Sequence, residues 1–480
     1  MITTFEELSR SLPAPPDSAE PDLRREFGNA PPTRWIVLDD DPTGTQSVRD
    51  LPVLTAWTTE DLRWALGTGR PAIYVQTNAR SLDPDTAEAV MGEVVRTAIH
   101  VAQDLGVGVE FVSRTDSTLR GHFPLDTDVI SRACAEESLE ASPDAVLLIP
   151  AFPDAGRVTV NGVHYVGAGD GTVAPAADSP FARDATFGYA TSDLRDWVEE
   201  KTSGRAPAAS VVHLPLSTIR RGSAAVARVL AGLSGGTYVT VDVMIEEDMQ
   251  VVAAAVHQCR AAGATFLYRT GPPFVRSLIA QSATAPLSSE ELAGLHRRLG
   301  ASAAPGGLVV VGSHVPTTTR QLKVLRERAQ ADEVVIDVLT LLDGTAADVV
   351  DDDCVTEVVD RLQHANVVIS TSRNVVTGTD EQDSLRIARQ VSDALVTLTQ
   401  RVMGRTRPRF IVAKGGITSS DIATRALQIR RAMVRGQMLP GIVSLWQSVD
   451  GPAAGVPYVV FAGNVGDDKS LSEVVARLSA

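Results

Sequence analysis

Cysteine and long apolar segments are scarce in this chain. Its 480 residues include only 3 cysteines, Cys134, Cys259 and Cys354, which stand far apart in the sequence. That spacing favours neither a disulfide framework nor a zinc cluster. No uninterrupted apolar run approaches the ~18 residues that a membrane-spanning helix needs, and no apolar signal segment precedes the first predicted strand. We therefore expect a soluble, cytoplasmic protein with no membrane partner.

Basic residues are outnumbered by acidic ones. The chain has 44 Lys and Arg against 59 Asp and Glu, which gives a formal net charge of −15. This balance disfavours general binding to nucleic acids or anionic membranes, so we expect no nucleic-acid partner. An anionic small molecule would need a local basic pocket.

The common nucleotide-binding and catalytic signatures are also missing. The sequence contains neither a Walker-type phosphate loop nor a Gly-x-Gly-x-x-Gly motif that opens a βαβ unit. Protein-kinase motifs and His-Glu-x-x-His are absent as well, and the Gly-x-Ser-x-Gly pattern at 232–236 precedes the predicted strand at 237–242, whereas the nucleophile elbow follows a strand. Any nucleotide or catalytic site must therefore be built from other residues.

What the sequence does contain is an alternation of apolar strands and helical segments. Residues 72–75 predict a strand, and apolar residues at helical spacing from Ala87 to Leu105 predict the helix that follows. This order favours parallel sheets, and the length of the chain favours at least two domains. We predict an α/β protein with two domains, each with a mostly parallel sheet flanked by helices, and a ligand cleft between them.

The predicted boundaries follow composition. A Pro-rich and charged arm with at most one short helix covers 1–33, and a first domain covers 34–299. A linker of small, flexible residues covers 300–307, and a second domain covers 308–480.

One predicted strand runs directly into three acids. The apolar residues after Trp35 lead to Asp39, Asp40 and Asp41, and then to a turn with hydroxyl groups. Adjacent carboxylates repel one another, so such a strand end typically holds a cation or a substrate hydroxyl. The alternative is a solvated acidic turn, because Asp-Pro-Thr-Gly is also ordinary turn chemistry.

A second predicted strand, 109–112, ends in a loop of cations, an acid and hydroxyls. In parallel sheets such strand ends gather at one edge, where ligands bind. Arg114 and Arg120 could then bind a carboxylate, while acids and hydroxyls bind sugar oxygens. The alternative for Arg114 and Asp116 is a structural ion pair. Arg157, after a further strand at 145–150, could join this pocket or brace it.

In the second half, three strand ends carry glycine. They are Gly312-Ser313, Gly415-Gly416 and Gly463 with Gly466. Glycines let the backbone approach a ligand, and free N–H groups before a helix suit a phosphate. A structural alternative is that Thr418 or Ser419 only caps the next helix. The three histidines beside the candidate loops, His122, His164 and His314, are expected to pack or to hydrogen-bond rather than to bind a metal.

Together these motifs resemble the four-carbon acid sugar kinase family. The matching segments are Asp40–Gly44, Arg114–Gly121, Pro150–Pro153 with Gly156–Arg157, Gly312–Ser313, Gly415–Thr418 and Gly463–Gly466. They follow the family's order.

The resemblance implies an N-terminal domain that binds a sugar acid, a C-terminal domain that binds ATP, and phosphoryl transfer to a hydroxyl of the acid. The substrate-binding residues carried over by position are Asp41, Arg80, Arg114, Thr115, Asp116 and Ser117. The nucleotide-binding residues are Ser313, Gly415, Gly416, Ile417, Thr418 and Gly463. Asp41, with Asp40 nearby, is the expected catalytic residue, and Arg114 with Arg80 is expected to hold the acid's carboxylate. Mg²⁺ is expected to arrive with ATP rather than on protein ligands.

The chain departs from the family's pattern in two respects. Family members often have an acid after the paired glycines and a Lys two positions before the closing Gly-Asn, where this chain has Ile417 and Phe461. Usual members also have Ala-x-Asp where this chain has residues 45–47. These changes keep open a non-catalytic sensor of sugar acids and nucleotides. A nucleotide-dependent dehydrogenase is a further alternative, although no dinucleotide fingerprint is found. The sequence leaves the oligomeric state open, a homo-oligomer included.

Overall fold

The structure is a computed structural model that describes residues 3–16, 18–137, 143–167, 171–299, 303–328, 331–343, 349–373 and 381–480, apart from the side chains of 298 and 381–385. Contacts divide the chain into two units, Met1–Thr284 and Ala285–Ala480. Each unit is described by itself. No helix among the described residues is long and apolar enough to cross a membrane.

The first unit contains two sheets and the helices that connect their strands. Its strands are β1 Thr3–Thr4, β2 Thr33–Asp39, β3 Leu51–Leu54, β4 Ala72–Gln76, β5 Gly108–Arg114, β6 Ala145–Ile149, β7 Arg157–Val160, β8 Val163–Gly167, β9 Thr172–Pro175, β10 Val212–Leu214, β11 Thr237–Val241 and β12 Phe266–Thr270. Its helices are α1 Phe5–Ser9, α2 Glu20–Asn29, α3 Thr59–Gly67, α4 Pro84–Leu105, α5 Leu125–Glu136, α6 Leu194–Lys201, α7 Leu216–Ile219, α8 Ser223–Leu230, α9 Glu246–Ala261 and α10 Phe274–Leu278.

The main sheet of this unit is parallel throughout, in the order β10-β11-β6-β12-β5-β2-β4-β3. The chain goes from β2 to β3 and β4 on one side and then returns to β5 on the other side. Ligands of open α/β sheets bind at the carboxyl ends of the strands where this reversal occurs. A smaller antiparallel sheet has the order β1-β9-β8-β7.

Helix α4 shows how the local sequence builds this unit. Asp83 caps its start by accepting a hydrogen bond from the Thr86 N–H at 3.0 Å, and Gly106 ends it in the left-handed conformation at φ 65°. Its apolar face, which includes Val94, Val95 and Ala98, is buried in the main core. Each buried Val contributes roughly 1.5–3 kcal/mol relative to an exposed one.

The second unit has one sheet that is mostly parallel. Its strands are β13 Leu308–Val311, β14 Asp332–Ile336, β15 Val367–Thr371, β16 Ile411–Lys414, β17 Arg431–Leu439, β18 Val443–Ser448 and β19 Pro457–Phe461. Its helices are α11 Ser289–Leu299, α12 Pro316–Arg328, α13 Val338–Asp343, α14 Asp352–Leu362, α15 Glu381–Met403, α16 Gly416–Asp421, which continues as a π-helical turn over Ile422–Ala426, and α17 Ser470–Ser479. The strand order is β17-β18-β19-β16-β13-β15-β14, in which β17 and β18 are antiparallel to their neighbours. The reversal of direction lies between β13 and β16.

The predicted fold class, α/β with a mostly parallel sheet in each half, is confirmed. Two local predictions differ from the structure. The contact boundary falls at Thr284/Ala285, before the predicted 299/300, because Leu287, Leu292 and Leu295 pack in the core of the second unit. The arm contains α1, α2 and β1 rather than one short helix, and Leu23 of α2 is buried. Residues 1, 2 and 17 of this arm and 300–302 of the predicted linker lie outside the described residues.

Candidate active site

A buried ion pair forms the base of the first candidate site. The register of β2 and β5 places Asp39 opposite Arg114, and their side chains form a salt bridge that is almost fully buried. Gln76 donates to the other Asp39 oxygen at 2.7 Å, and Arg114 donates to the Asp41 carbonyl at 2.6 Å. A Cβ on Gly44 would lie 2.2 Å from an Asp39 oxygen and 2.3 Å from the Arg114 Nε. The salt bridge of Arg114 is thus with Asp39 rather than with Asp116, and its expected role as carboxylate ligand stays a prediction.

Asp41 is held by its neighbours. Its carboxylate forms a salt bridge with Arg80 and accepts hydrogen bonds from the backbone N–H of Thr43, at 2.9 Å, and from the Thr43 hydroxyl. Arg80 also lies 3.6 Å from an Asp116 oxygen. These contacts use the carboxylate that the sequence assigned as the base, so its expected role as the base is not supported by its surroundings.

Asp40 lies near both Arg114 and Arg80 but accepts a hydrogen bond from neither. Its nearest cationic nitrogens are 3.6 Å away on Arg114 and 4.0 Å away on Arg80. Both carboxylate oxygens are buried and accept no hydrogen bond from the described residues. A Cβ on Gly121 would lie 3.2 Å from one of these oxygens and 3.3 Å from the Arg269 guanidinium. A buried acceptor of this kind is costly unless a ligand completes its bonding.

Burial also changes the acidity of this group. Desolvation raises the pKa of Asp40 to about 7, since the opposing effect of Arg80 and Arg269 is smaller and the negative charges of Asp41 and Asp116 add to the rise. A carboxyl group with a pKa near neutrality can take up a proton from a substrate hydroxyl.

Asp116 contrasts with Asp40. It accepts hydrogen bonds from the Arg120 Nε, at 2.7 Å, and from the Thr118 backbone N–H, at 3.0 Å. Burial acts to raise its pKa, but the nearby charges of Arg80, Arg120 and Arg157 and the Thr118 hydrogen bond together hold it well below its usual range. Asp116 is therefore a permanent anion that organises the arginines.

Ser117 is fixed on both sides. Arg157 donates to its hydroxyl at 2.9 Å, and the His164 Nε2 lies 2.8 Å from its carbonyl. Burial lowers the pKa of His164 to about 4, so the ring is neutral near pH 7. Because a carbonyl only accepts, Nε2 donates to it, and Nδ1 accepts from the Thr159 hydroxyl at 2.9 Å. The neighbouring Thr115 is buried, and its N–H donates to the Thr270 carbonyl at 2.8 Å.

Sequence reasoning missed Arg269. It lies on β12, next to β5, and pairs with Asp126 at 2.9 Å. Its guanidinium stacks 5.2 Å from the Phe123 ring centroid and 5.3 Å from that of Trp197. The rule that found Arg114, a polar residue at the end of a buried strand, applies equally to 265–269.

In the second unit, the predicted glycine-bearing strand ends come together. A Cβ on Gly463 would lie 2.7 Å from the Ser313 Oγ, and one on Gly415 would lie 3.2 Å from the Ser313 Cβ. The Thr418 hydroxyl would be 2.3 Å from a Cβ on Gly312 and 2.9 Å from one on Gly415. A side chain at any of these glycines would therefore require neighbouring side chains or the strand ends to move.

The paired glycines open the short helix α16. Gly415 is its N-cap, with φ 131°, and no side chain bonds the first amides of the helix. Thr418 and Ser419 lie inside the helix, so the N-cap alternative is wrong. A Cβ on Gly416 would meet no atom within 4 Å, and Ile417 is 71% exposed. The start of this helix is thus open to a ligand.

Lys414 was also missed. It is fully buried between the strand ends, and its Nζ donates to the Ala462 carbonyl at 2.6 Å. Burial lowers its pKa to about 7. No carboxylate pairs with it among the described residues. The signal in the sequence was a lysine directly before the paired glycines.

No metal site is evident in the described part of the chain, where no three His, Cys, Asp or Glu residues converge as possible ligands. The histidines bond to the protein instead. His122 contacts the Ala79 carbonyl at 3.0 Å, and His314 contacts the Ser372 carbonyl at 3.3 Å.

The two candidate sites fall in two known kinds of domain. The family model of a sugar-binding N-terminal domain matches residues 35–278, and that of a nucleotide-binding C-terminal domain matches residues 308–471. The chain belongs to the four-carbon acid sugar kinase family. It is therefore a phosphotransferase that acts on an alcohol group, and its first unit contains the family's sugar-binding N-terminal domain.

Curated relatives share low identity over most of their length. The D-erythronate kinase of Heliobacterium modesticaldum is 23% identical over 85% of this chain and 87% of the relative. The D-threonate kinase of Cupriavidus necator is 26% identical over 85% and 89%, respectively. The D-threonate kinase of Salmonella typhimurium is 22% identical over 92% and 97%.

Solved structures support the fold. Haemophilus influenzae protein HI1011 superimposes with a TM-score of 0.62 at 18% identity, over 92% of this chain and 99% of that protein. A protein described as a putative tRNA synthase from Salmonella typhimurium LT2 gives the same TM-score at 19% identity, over 92% and 98%. At these identities the likeness concerns the fold alone.

Proposed function

We propose that this protein transfers the γ-phosphoryl group of ATP to a hydroxyl of a four-carbon sugar acid, such as a tetronate or a 3-oxo-tetronate. The curated relatives named above support this class of substrate. The observation that carries the proposal is the buried carboxylate of Asp40 in the sugar-binding domain. It accepts no hydrogen bond from the described residues. A carboxylate that binds a substrate hydroxyl is expected to be unpaired in this way before the substrate binds.

In this proposal Asp40 is the base, and Asp41 is a positioning residue. Asp41 is bound by Arg80 and Thr43, so it orients the arginine rather than the substrate. Asp40 would accept the proton of the attacking hydroxyl, which its raised pKa favours. Phosphoryl transfer otherwise depends mainly on positioning and charge neutralisation.

The second unit would bind ATP at the ends of β13, β16 and β19. The glycines there allow backbone N–H groups to approach phosphate oxygens, and Ser313 adds a hydroxyl. Lys414 would add positive charge next to the peptide that precedes Gly463. Mg²⁺ bound to the nucleotide would neutralise phosphate charge, and the protein residues described here supply no separate set of metal ligands.

A coupled assay of ADP release tests this function. The purified protein, ATP and Mg²⁺ are combined in turn with erythronate, threonate, their 3-oxo forms and longer or branched sugar acids. We expect ADP release with at least one four-carbon acid and none without an acid. Absence of ADP release across the whole panel, with binding of an acid retained, would favour the sensor alternative. Stabilisation by NAD rather than by ATP would favour the dehydrogenase.

A further inference from the structure

The charged groups of the first candidate site are paired almost completely. Asp39 pairs with Arg114, and Asp126 pairs with Arg269. Arg120 binds Asp116. Arg80 binds Asp41 and also lies near Asp40 and Asp116. Arg157 is the exception among the arginines of this site.

Arg157 forms no salt bridge among the described residues, although the charge of Asp116 acts on it from a greater distance. Its Nη1 donates to the neutral hydroxyl of Ser117 at 2.9 Å, and its Nε is buried without a hydrogen-bond acceptor. Arg157 is half-buried as a whole, and a cation that has lost part of its water is normally paired directly, because desolvation is costly. The guanidinium therefore has hydrogen-bonding capacity left for a direct pair with an anion from outside the chain.

The surroundings of Arg157 hold the guanidinium in place. It lies at the start of β7, directly after Gly156, whose left-handed φ of 71° turns the chain. Its guanidinium carbon is 5.9 Å from the centroid of the Phe181 ring, and that of Arg120 is 5.0 Å from the same ring. The Phe181 ring and the Ser117 hydroxyl already hold the planar guanidinium group, so the side chain loses little freedom when it binds an anion.

We propose that Arg157 binds the carboxylate of the sugar-acid substrate and thereby sets the preference for acids over neutral polyhydroxy compounds. This inference rests on the proposed function. It transfers to Arg157 the role that the sequence assigned to Arg114 and Arg80, both of which are occupied by acids of the protein itself. Guanidinium and carboxylate groups match as two parallel hydrogen bonds, and Arg157 retains free N–H groups for such a pair.

Calorimetric titration with an acid and its neutral analogue tests the proposal. The full-length protein is titrated with a tetronate and with the matching tetronamide, in which a carboxamide replaces the carboxylate. We expect the wild type to bind the acid at least about 30-fold more tightly than the amide, as expected for charged hydrogen bonds. Arg157→Met should abolish this preference while leaving the affinity for the amide within about 3-fold. Arg157→Lys keeps the charge but loses the planar guanidinium group, so it should retain only part of the preference for the acid.

Arg195→Met is the matched control, because Arg195 is a more exposed arginine of the same unit that pairs with Asp193 at 3.1 Å. It should keep the full preference for the acid. The proposal is overturned if the wild type shows no preference, or if folded Arg157→Met retains it. If Arg157→Met does not fold, an unchanged preference in Arg157→Lys overturns it. ADP release is measured separately: its absence in the wild type would remove the kinase function, whereas the acid preference alone decides the role of Arg157.

Discussion

Lys414 lies directly opposite Phe461 in the pairing of β16 with β19, with its Nζ 3.9 Å from the centroid of the ring. Phe461 is the position where family members often have a lysine. In this chain the ammonium comes from the neighbouring strand instead, and it binds the carbonyl of the peptide that leads into Gly463. The departure at Phe461 therefore does not remove positive charge from this edge of the sheet.

Replacement of Lys414 by Met should stabilise the protein, and more so at low pH. The pKa of Lys414 is about 7 when folded and 10.5 in its unperturbed state. Between these values the unfolded chain binds more protons, so stability rises with pH. Below pH 7 both states are protonated and the full cost of burying the charge remains. Thermal unfolding at pH 6 and pH 10 should show a gain for Lys414→Met that is largest at pH 6.

The exposed Lys323 provides the control for this comparison. Lys323→Met should change the melting temperature little and equally at both pH values. An equal or larger gain for Lys414→Met at pH 10 would contradict the assignment of a buried, charged ammonium.

The variants Asp40→Asn and Asp41→Asn should differ in their kinetics. Asp40→Asn removes the proposed base and should lower kcat by ~10²-fold or more, with little effect on ATP binding. Asp41→Asn releases Arg80 and should mainly raise KM for the acid. Steady-state rates of ADP release measure both effects. If Asp41→Asn lowers kcat as much as Asp40→Asn while KM is unchanged, the roles are reversed.

Activity should follow the ionisation of Asp40. Its pKa of about 7 in the free protein predicts that kcat/KM for the acid falls as pH decreases below 7, because protonated Asp40 cannot accept a proton. Above pH 7, kcat/KM should become independent of this ionisation. A pH profile of kcat/KM measures the change. In the Asp40→Asn variant the decrease below pH 7 should be absent. A flat profile from pH 5 to 8 would exclude Asp40 as the titrating base.

Gly44→Ala should destabilise the first unit. The new Cβ would lie within 2.3 Å of oxygens of Asp39 and of the Arg114 Nε, both buried, so the salt bridge must move. We expect a loss of roughly 1–3 kcal/mol in the free energy of unfolding. Gly67→Ala is the control, because a Cβ there meets nothing within 4 Å and the residue ends a helix. Urea unfolding should show the loss for Gly44→Ala only.

Gly416→Val should weaken nucleotide binding without damage to the fold. A Cβ there points into open space at the start of α16, where the phosphate groups are proposed to bind. KM for ATP should rise by about tenfold or more, and KM for the acid should change little. Gly28→Val, in a helix of the first unit with equal space, should leave both constants unchanged. A selective rise in KM for the acid would reassign the two sites.

The sequence by itself determined the α/β class and where the polar loops begin. Apolar segments predicted β2, β4, β5, β6, β13, β16 and β19, and the acids after β2 and the glycines after β13, β16 and β19 marked both candidate sites. These features are local, because consecutive residues determine where a strand ends and a turn begins. The predicted ligand cleft between the domains stays a prediction.

Only the tertiary structure decided which charges are already paired. Arg114 binds Asp39 because the register of β2 and β5 places them side by side, although 74 residues lie between them in the sequence. Among the described residues, both oxygens of Asp40 and the Nε of Arg157 are left without a hydrogen bond. The order of residues in the sequence does not give the distances between side chains on neighbouring strands. The interaction energy of two charged groups depends on that distance and on their burial. For that reason the roles proposed for Asp40, Arg157 and Lys414 rest on the folded chain.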